Sequence, residues 1–133
     1  MNSIKKIVLG TLFISMVISC SAVAKFPVSS YTPAAEISAT KKKDKNNNYA
    51  ITVNTHLLAS TERLNPPMKT YVVWITTSND GIKNIGQLQT KNGKNAHLNT
   101  LTVYNPVDIF ITAEDEGNVS YPRGIEISRS RFK

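Results

Sequence analysis

Few side chains in this sequence are candidates for chemistry. There are two histidines, His56 and His97, separated by 41 positions, one cysteine, Cys20, and one acidic run, Glu114-Asp115-Glu116. A hydrolytic metal site calls for His-Glu-x-x-His or paired Cys-x-x-Cys ligands, and a serine nucleophile on a strand-to-helix elbow for Gly-x-Ser-x-Gly. None of these spacings occurs. The three carboxylates could offer oxygens to calcium, yet they match neither an EF-hand loop nor an Asp-rich repeat, so a solvated acidic turn is expected there. With no acid, base and nucleophile to assemble, the chain is expected to be no enzyme and to hold no metal or cofactor.

Cys20 has a different context. Lys5 and Lys6 precede an apolar run from Ile7 to Ile18 broken only by Gly10, Thr11 and Ser15, the form of a secretory signal and short of the roughly 20 residues a membrane-spanning helix needs. The run ends in Val17-Ile18-Ser19-Cys20, which resembles the bacterial lipobox, where the cysteine is diacylated and becomes the mature N-terminus. As the only cysteine, Cys20 has no partner for an internal disulfide, and lipid modification (palmitate or similar chains) would consume the thiol. Residues 1–19 are therefore expected to be a lipoprotein signal peptide, with membrane attachment through Cys20 in a cell envelope. Ala22-Val23-Ala24 offers a competing small-x-small cut that would release a soluble protein beginning at Lys25.

Sixteen basic and nine acidic residues give the 133-residue chain a net charge of +7. Losing Lys5 and Lys6 with the signal leaves +5. An exported protein is not expected to meet nucleic acid, so the basic excess points to solubility or to anionic headgroups and envelope polymers. Two segments concentrate it: Lys41-Lys42-Lys43-Asp44-Lys45, expected as a solvated hairpin tip or loop that could touch a negative surface, and the tail Arg129-Ser130-Arg131-Phe132-Lys133, expected as a frayed strand end or an anion clamp.

Apolar residues after the signal come in short alternating runs between Asn, Gly and Pro, with no capped helical period of ten residues. Lys25 to Pro33 suits an extended tether. Strands are expected around Ile37 and Ala39, over Tyr49–His56, over Lys69–Thr77, over Ile82–Gln89, around Leu98, Leu101 and Val103, over Val107–Ala113, and at Ile125 and Ile127. The strongest is Lys69–Thr77. Tyr71, Val73 and Ile75 share one face, Val72, Trp74 and Thr76 the other, and neither face reads as solvated. Asn65-Pro66-Pro67 fixes the entry to this strand, Gly86 suggests a bulge or a close approach facing Trp74, and Val107–Ala113 is expected to meet Trp74 across the core. The fold class that follows is all-β, an antiparallel immunoglobulin-like β-sandwich of about six or seven strands packed around Trp74. Its domain plan is signal peptide 1–19, tether 20–33 and sandwich 34–133.

Leu64-Asn65-Pro66-Pro67, Tyr71-Val72-Val73-Trp74-Ile75, Asp80-Gly81 followed by Ile85-Gly86, Val107 to Glu114, and Glu116-Gly117-Asn118 leading to Pro122-Arg123-Gly124 together resemble the extracytoplasmic domain of anti-sigma-K factors. The resemblance spans Tyr49 to Ser128. It implies an immunoglobulin-like sandwich outside the cytoplasmic membrane, in which Tyr71, Trp74, Gly86, Pro122 and Gly124 are structural residues, and a sensory or binding role without catalysis. The chain lacks the cytoplasmic sigma-binding domain and the spanning helix of that family, and it lacks a His-x-x-x-Cys-x-x-Cys cluster. The expectation is a detached, lipid-tethered sensory module, with a structural envelope lipoprotein as the alternative and a small secreted hydrolase or ligand-binding protein behind both.

Overall fold

The computed structural model describes residues 21–91 and 93–133. The expected signal peptide, residues 1–19, Cys20 and Asn92 lie outside the described residues. Among the described residues, nine strands form two antiparallel sheets: β1 (Ser21–Lys25), β2 (Glu36–Lys43), β3 (Tyr49–His56), β4 (Thr70–Thr76), β5 (Ile82–Gln87), β6 (Gln89–Thr90), β7 (Asn95–Thr102), β8 (Asp108–Glu114) and β9 (Ile125–Arg131). One sheet runs β1-β2-β3-β7-β6 and the other β5-β4-β8-β9. The all-β sandwich expected from alternation is what the chain adopts, with more strands than the six or seven anticipated.

The main core forms where the alternating apolar faces of the two sheets meet. Ile37, Ala39, Ile51 and Val53 from the first sheet pack with Tyr71, Val73, Ile75, Ile109, Ile111 and Ile127 from the second. Each large side chain buried this way contributes about 1.5–3 kcal/mol. Both flanks of the sandwich carry ties between the sheets, which shorten the free edges that invite aggregation. On one flank β5 and β6 are a single path that leaves the second sheet at Gln87 and joins the first at Gln89, with the Leu88 amide donating to the Tyr71 carbonyl at 3.0 Å. On the other flank, Val23 and Lys133 exchange backbone hydrogen bonds of 3.3 and 3.2 Å, and the hydroxyls of Ser128 and Ser130 donate to the carbonyls of Pro27 and Lys25.

That second flank corrects the expected tether at 20–33. Ser21–Lys25 is an edge strand paired residue by residue with Ser38–Lys42, Ala24 is 1% exposed, and Ser29 and Thr32 are buried. The ladder to β2 and the ties to the chain's last residues hold this segment in the fold.

Trp74 also sits elsewhere than expected. It is fully buried, but on the outward face of β4, where it forms a separate cluster with Val72 and Phe110, joined by the partly buried Val119. Its ring stacks on Phe110, with centroids 6.2 Å apart and planes at 14°. The strand β8 that carries Phe110 is the in-sheet neighbour of β4, with Trp74 in register with Phe110, so it does not face Trp74 across the core. Sheet packing therefore rests on the opposite face of β4, with Tyr71, Val73 and Ile75. Gly86 does mark an irregularity: Val73 pairs with Gly86 and Trp74 with Asn84, leaving Ile85 as the extra residue of a bulge. The side chain that closes on Gly86 is Leu98 from the other sheet, which a Cβ would meet at 3.1 Å, and not Trp74. The backbone there has φ +137°, a conformation open to glycine.

Tyr71 anchors one end of the core. Its hydroxyl donates to the Ala59 carbonyl at 2.5 Å, and burial pushes its pKa from 10.0 up to about 12. Because the folded state holds this proton more tightly than the unfolded chain, the associated stability is complete below pH 10 and is lost as pH rises from about 10 to about 12. The melting temperature should fall more steeply over that window in the wild type than in Tyr71→Phe. Parallel pH slopes for the two proteins would rule out Tyr71 as the source.

Candidate functional site at the basic end of the sandwich

The Lys-rich run is an ordered hairpin tip. Asp44 holds it: its Oδ1 accepts from the amides of Asn46 and Asn48 at 2.8 and 2.9 Å, its own amide donates to the Asn48 carbonyl, and Asn47 takes a left-handed φ of +64°. Asparagine tolerates that conformation, and Asp supplies the local side-chain bond that makes the turn. Lys42, Lys43 and Lys45 are exposed around it.

Lys41 behaves differently because strand alternation turns it inward. Its ammonium donates to Asn105 Oδ1 at 2.9 Å and to the Pro106 carbonyl at 2.6 Å, and lies 5.3 Å from the centre of the Phe132 ring and 5.9 Å from that of Tyr49. Burial holds its pKa below the usual lysine value. Lys41 thus closes the end of the sandwich and ties β2 to the β7–β8 connection.

The register brings the chain's N-terminal side to the same place, since Ser21 pairs with Lys42 and β1 enters the fold beside the hairpin. Continuing across the sheet, Lys42 pairs with Ala50 and Ala50 with Leu101, which is 63% exposed; Val103, just past the end of β7, is 70% exposed. The expected strand residue Val103 thus lies outside the ladder. Lys83, Arg131 and Lys133 belong to this end as well, by the pairings of Lys83 with Ile75, Arg131 with Asp108 and Lys133 with Val23. The acids here are Asp44, engaged by its own turn, Asp108, which accepts from Arg131 Nε at 2.8 Å, and Asp80. Seven basic residues against three acidic ones give this end about +4 of the +5 carried by the described chain, and the other described residues, seven basic against six acidic, carry the remaining +1.

The remaining sequence candidates are dispersed or structural. His56 and His97 point outward from neighbouring strands, in register with Asn95 and Asn54 respectively, and His56 Nδ1 lies 2.7 Å from Asn95 Oδ1. Among the described residues no three His, Cys, Asp or Glu side chains converge as metal ligands would, and no helix is long and apolar enough to cross a membrane. The tail is strand β9, not a frayed end. Arg129 lies 3.9 Å over the Phe110 ring and bonds Glu126, while Arg131 bonds Asp108.

Glu114 departs most from the expected solvated turn. It is 1% exposed, while Asp115 and Glu116 are exposed. Trp74 Nε1 donates to Thr112 Oγ1 at 2.8 Å, Thr112 Oγ1 donates to Glu114 Oε2 at 2.6 Å, and the Arg123 amide donates to both carboxylate oxygens at 3.2 Å. A carboxylate engaged in this way fastens the loop that carries Arg123 to β8. Asn84 fastens the same loop from β5, donating to the carbonyls of Gly117 and Val119 at 2.9 Å each. Pro122 is half-buried within that loop, and Gly124 ends it, where a Cβ would come 1.8 Å from the Ala113 carbonyl oxygen. Only glycine permits this approach of the loop to β8. Sequence reasoning missed Thr112 and Asn84, whose roles depend on register across strands.

No protein-family model, curated protein sequence or solved structure matches the chain.

Proposed function

We propose that the chain is a non-catalytic module of the cell envelope, anchored to a membrane through an acylated Cys20 and acting by binding a protein or an envelope component. One observation carries the anchor. The described residues of strand β1, Ser21–Lys25, follow Cys20 directly in sequence, and Ala24 is buried. A mature chain starting at Cys20 keeps all five described residues of the strand. A cut after Ala24 would delete four of its five residues, together with the Val23 bonds to Lys133.

Within this reading, the resemblance to the extracytoplasmic domain of anti-sigma-K factors supports a sensory role tied to such a regulatory system. A structural lipoprotein that holds cell-wall polymer is the second reading, favoured by the basic excess at one end of the fold. Intact mass of protein extracted from membranes tests the anchor. The expected result is an N-terminal Cys20 carrying acyl chains, abolished by Cys20→Ser, and a free N-terminus at Lys25 overturns it. Tagged protein recovered with one stoichiometric protein partner supports the sensory role, and co-sedimentation with peptidoglycan alone supports the structural one.

A further inference from the structure

We infer that the basic end of the sandwich is a membrane-docking surface that lies against anionic phospholipid headgroups, so that the domain sits on the leaflet in one orientation. The inference deepens the anchored reading above and rests on it for the direction from which the bilayer approaches.

Three independent features coincide at this end. The first is position: Ser21 pairs with Lys42, so a lipid on the preceding residue would leave the fold beside the hairpin tip. Without a tether, the domain has little slack, and this end must lie near the headgroups. The second is charge, because Lys42, Lys43 and Lys45 project from a hairpin that Asp44 rigidifies, and the end as a whole is about +4 while the rest of the described chain sums to +1. The third is apolar surface, since Leu101, Val103 and Ile82 are exposed aliphatic side chains at the same end, 63%, 70% and 44% accessible. Basic residues surrounding a few apolar ones suit an interface where ammonium groups meet phosphates and aliphatic tips reach towards the acyl boundary. A cysteine carrying two or more acyl chains already holds the membrane stably, so the polybasic patch serves to fix the orientation of the domain on the leaflet.

The test uses the mature protein purified from membranes and reconstituted into neutral phosphatidylcholine vesicles or vesicles with about 30% phosphatidylglycerol. Flotation with neutral vesicles reads the anchor alone. Docking is read separately, by a membrane-impermeant amine reagent whose sites are mapped by mass spectrometry. On anionic vesicles Lys42, Lys43 and Lys45 should label about tenfold more slowly than on neutral ones, with Lys91 and Lys94 at the opposite end unchanged, and the protection should disappear at about 0.5 M salt. Lys42→Gln/Lys43→Gln/Lys45→Gln should still float on neutral vesicles, and on anionic vesicles a hydrogen-exchange footprint at Leu101 and Val103, present in the wild type, should be lost.

Equal labelling on the two vesicle types overturns the docking surface even where flotation succeeds. Protection of Lys91 and Lys94 instead overturns the orientation. Protection by an anionic wall polymer but not by vesicles overturns the choice of lipid. Loss of flotation on neutral vesicles overturns the anchor, and excess anionic vesicles still report on the lysines.

Discussion

Trp74→Ala should destabilise the domain by about 3–5 kcal/mol while leaving both sheets formed. The tryptophan is fully buried, stacks on Phe110 and donates its ring N–H to Thr112, so the substitution removes a large side chain, an aromatic stack and a buried hydrogen bond together. For a small domain this is a large share of a total stability of about 5–15 kcal/mol, and the melting temperature should drop by more than about 10 °C. The location of the damage separates the observed packing from a sandwich built around Trp74. Tyr71, Val73 and Ile75 face the main core from the same strand, and that core contains no atom of Trp74. Well below the melting temperature, the circular dichroism of the variant should keep its β signature. Loss of amide protection should concentrate in residues 115–124 and β5, the segments that close over the tryptophan. A melting temperature within about 2 °C of wild type would contradict the buried placement. Uniform loss of protection in both sheets would contradict the division into two clusters.

The sequence made Tyr49–His56 readable as a strand because Tyr49, Ile51, Val53 and Thr55 alternate with polar residues, and the observed strand has those bounds. Lys69–Thr77 was equally legible as a strand with two apolar faces. Alternation with period two reveals that both faces of such a strand are covered, but not which one meets the second sheet, so the expectation of a sandwich packed around Trp74 places it in the wrong layer. Glu114 departs from the expected solvated turn for a related reason. A carboxylate in an acidic run reads as solvated, and the hydroxyl and the amide that compensate its burial come from Thr112 and Arg123, a relation set by loop geometry. Strand β1 was hidden because Ser21-Ala22-Val23-Ala24 has little apolar contrast and carries a cleavage-site pattern, while its stabilising partners include Lys133 at the other end of the sequence. The candidate site was half legible. The lysine run and Cys20 both stand out in the sequence, but their proximity is a matter of register, and the pairing of Ser21 with Lys42 has no local signal.

Thr112→Val should cost about 2–4 kcal/mol although it preserves shape and raises hydrophobicity. In the native fold the threonine hydroxyl accepts from Trp74 Nε1 and donates to Glu114 Oε2, so one oxygen satisfies a buried donor and a buried carboxylate at once. Valine leaves both without that partner, and for a nearly inaccessible carboxylate the remaining bonds from the Arg123 amide are long, at 3.2 Å. Thr112→Ser keeps the hydroxyl and should recover most of the loss, short of the methyl group's packing. Pairing the substitution with Trp74→Phe isolates the indole contribution. Phenylalanine has no N–H to orphan, so part of the penalty of valine disappears in its presence. The double variant should be more stable than the sum of the single losses by about 1 kcal/mol, measured by denaturant unfolding of the four proteins. Strict additivity would mean that the 2.8 Å contact between Trp74 and Thr112 contributes nothing, and that the tryptophan is retained for its packing on Phe110 alone.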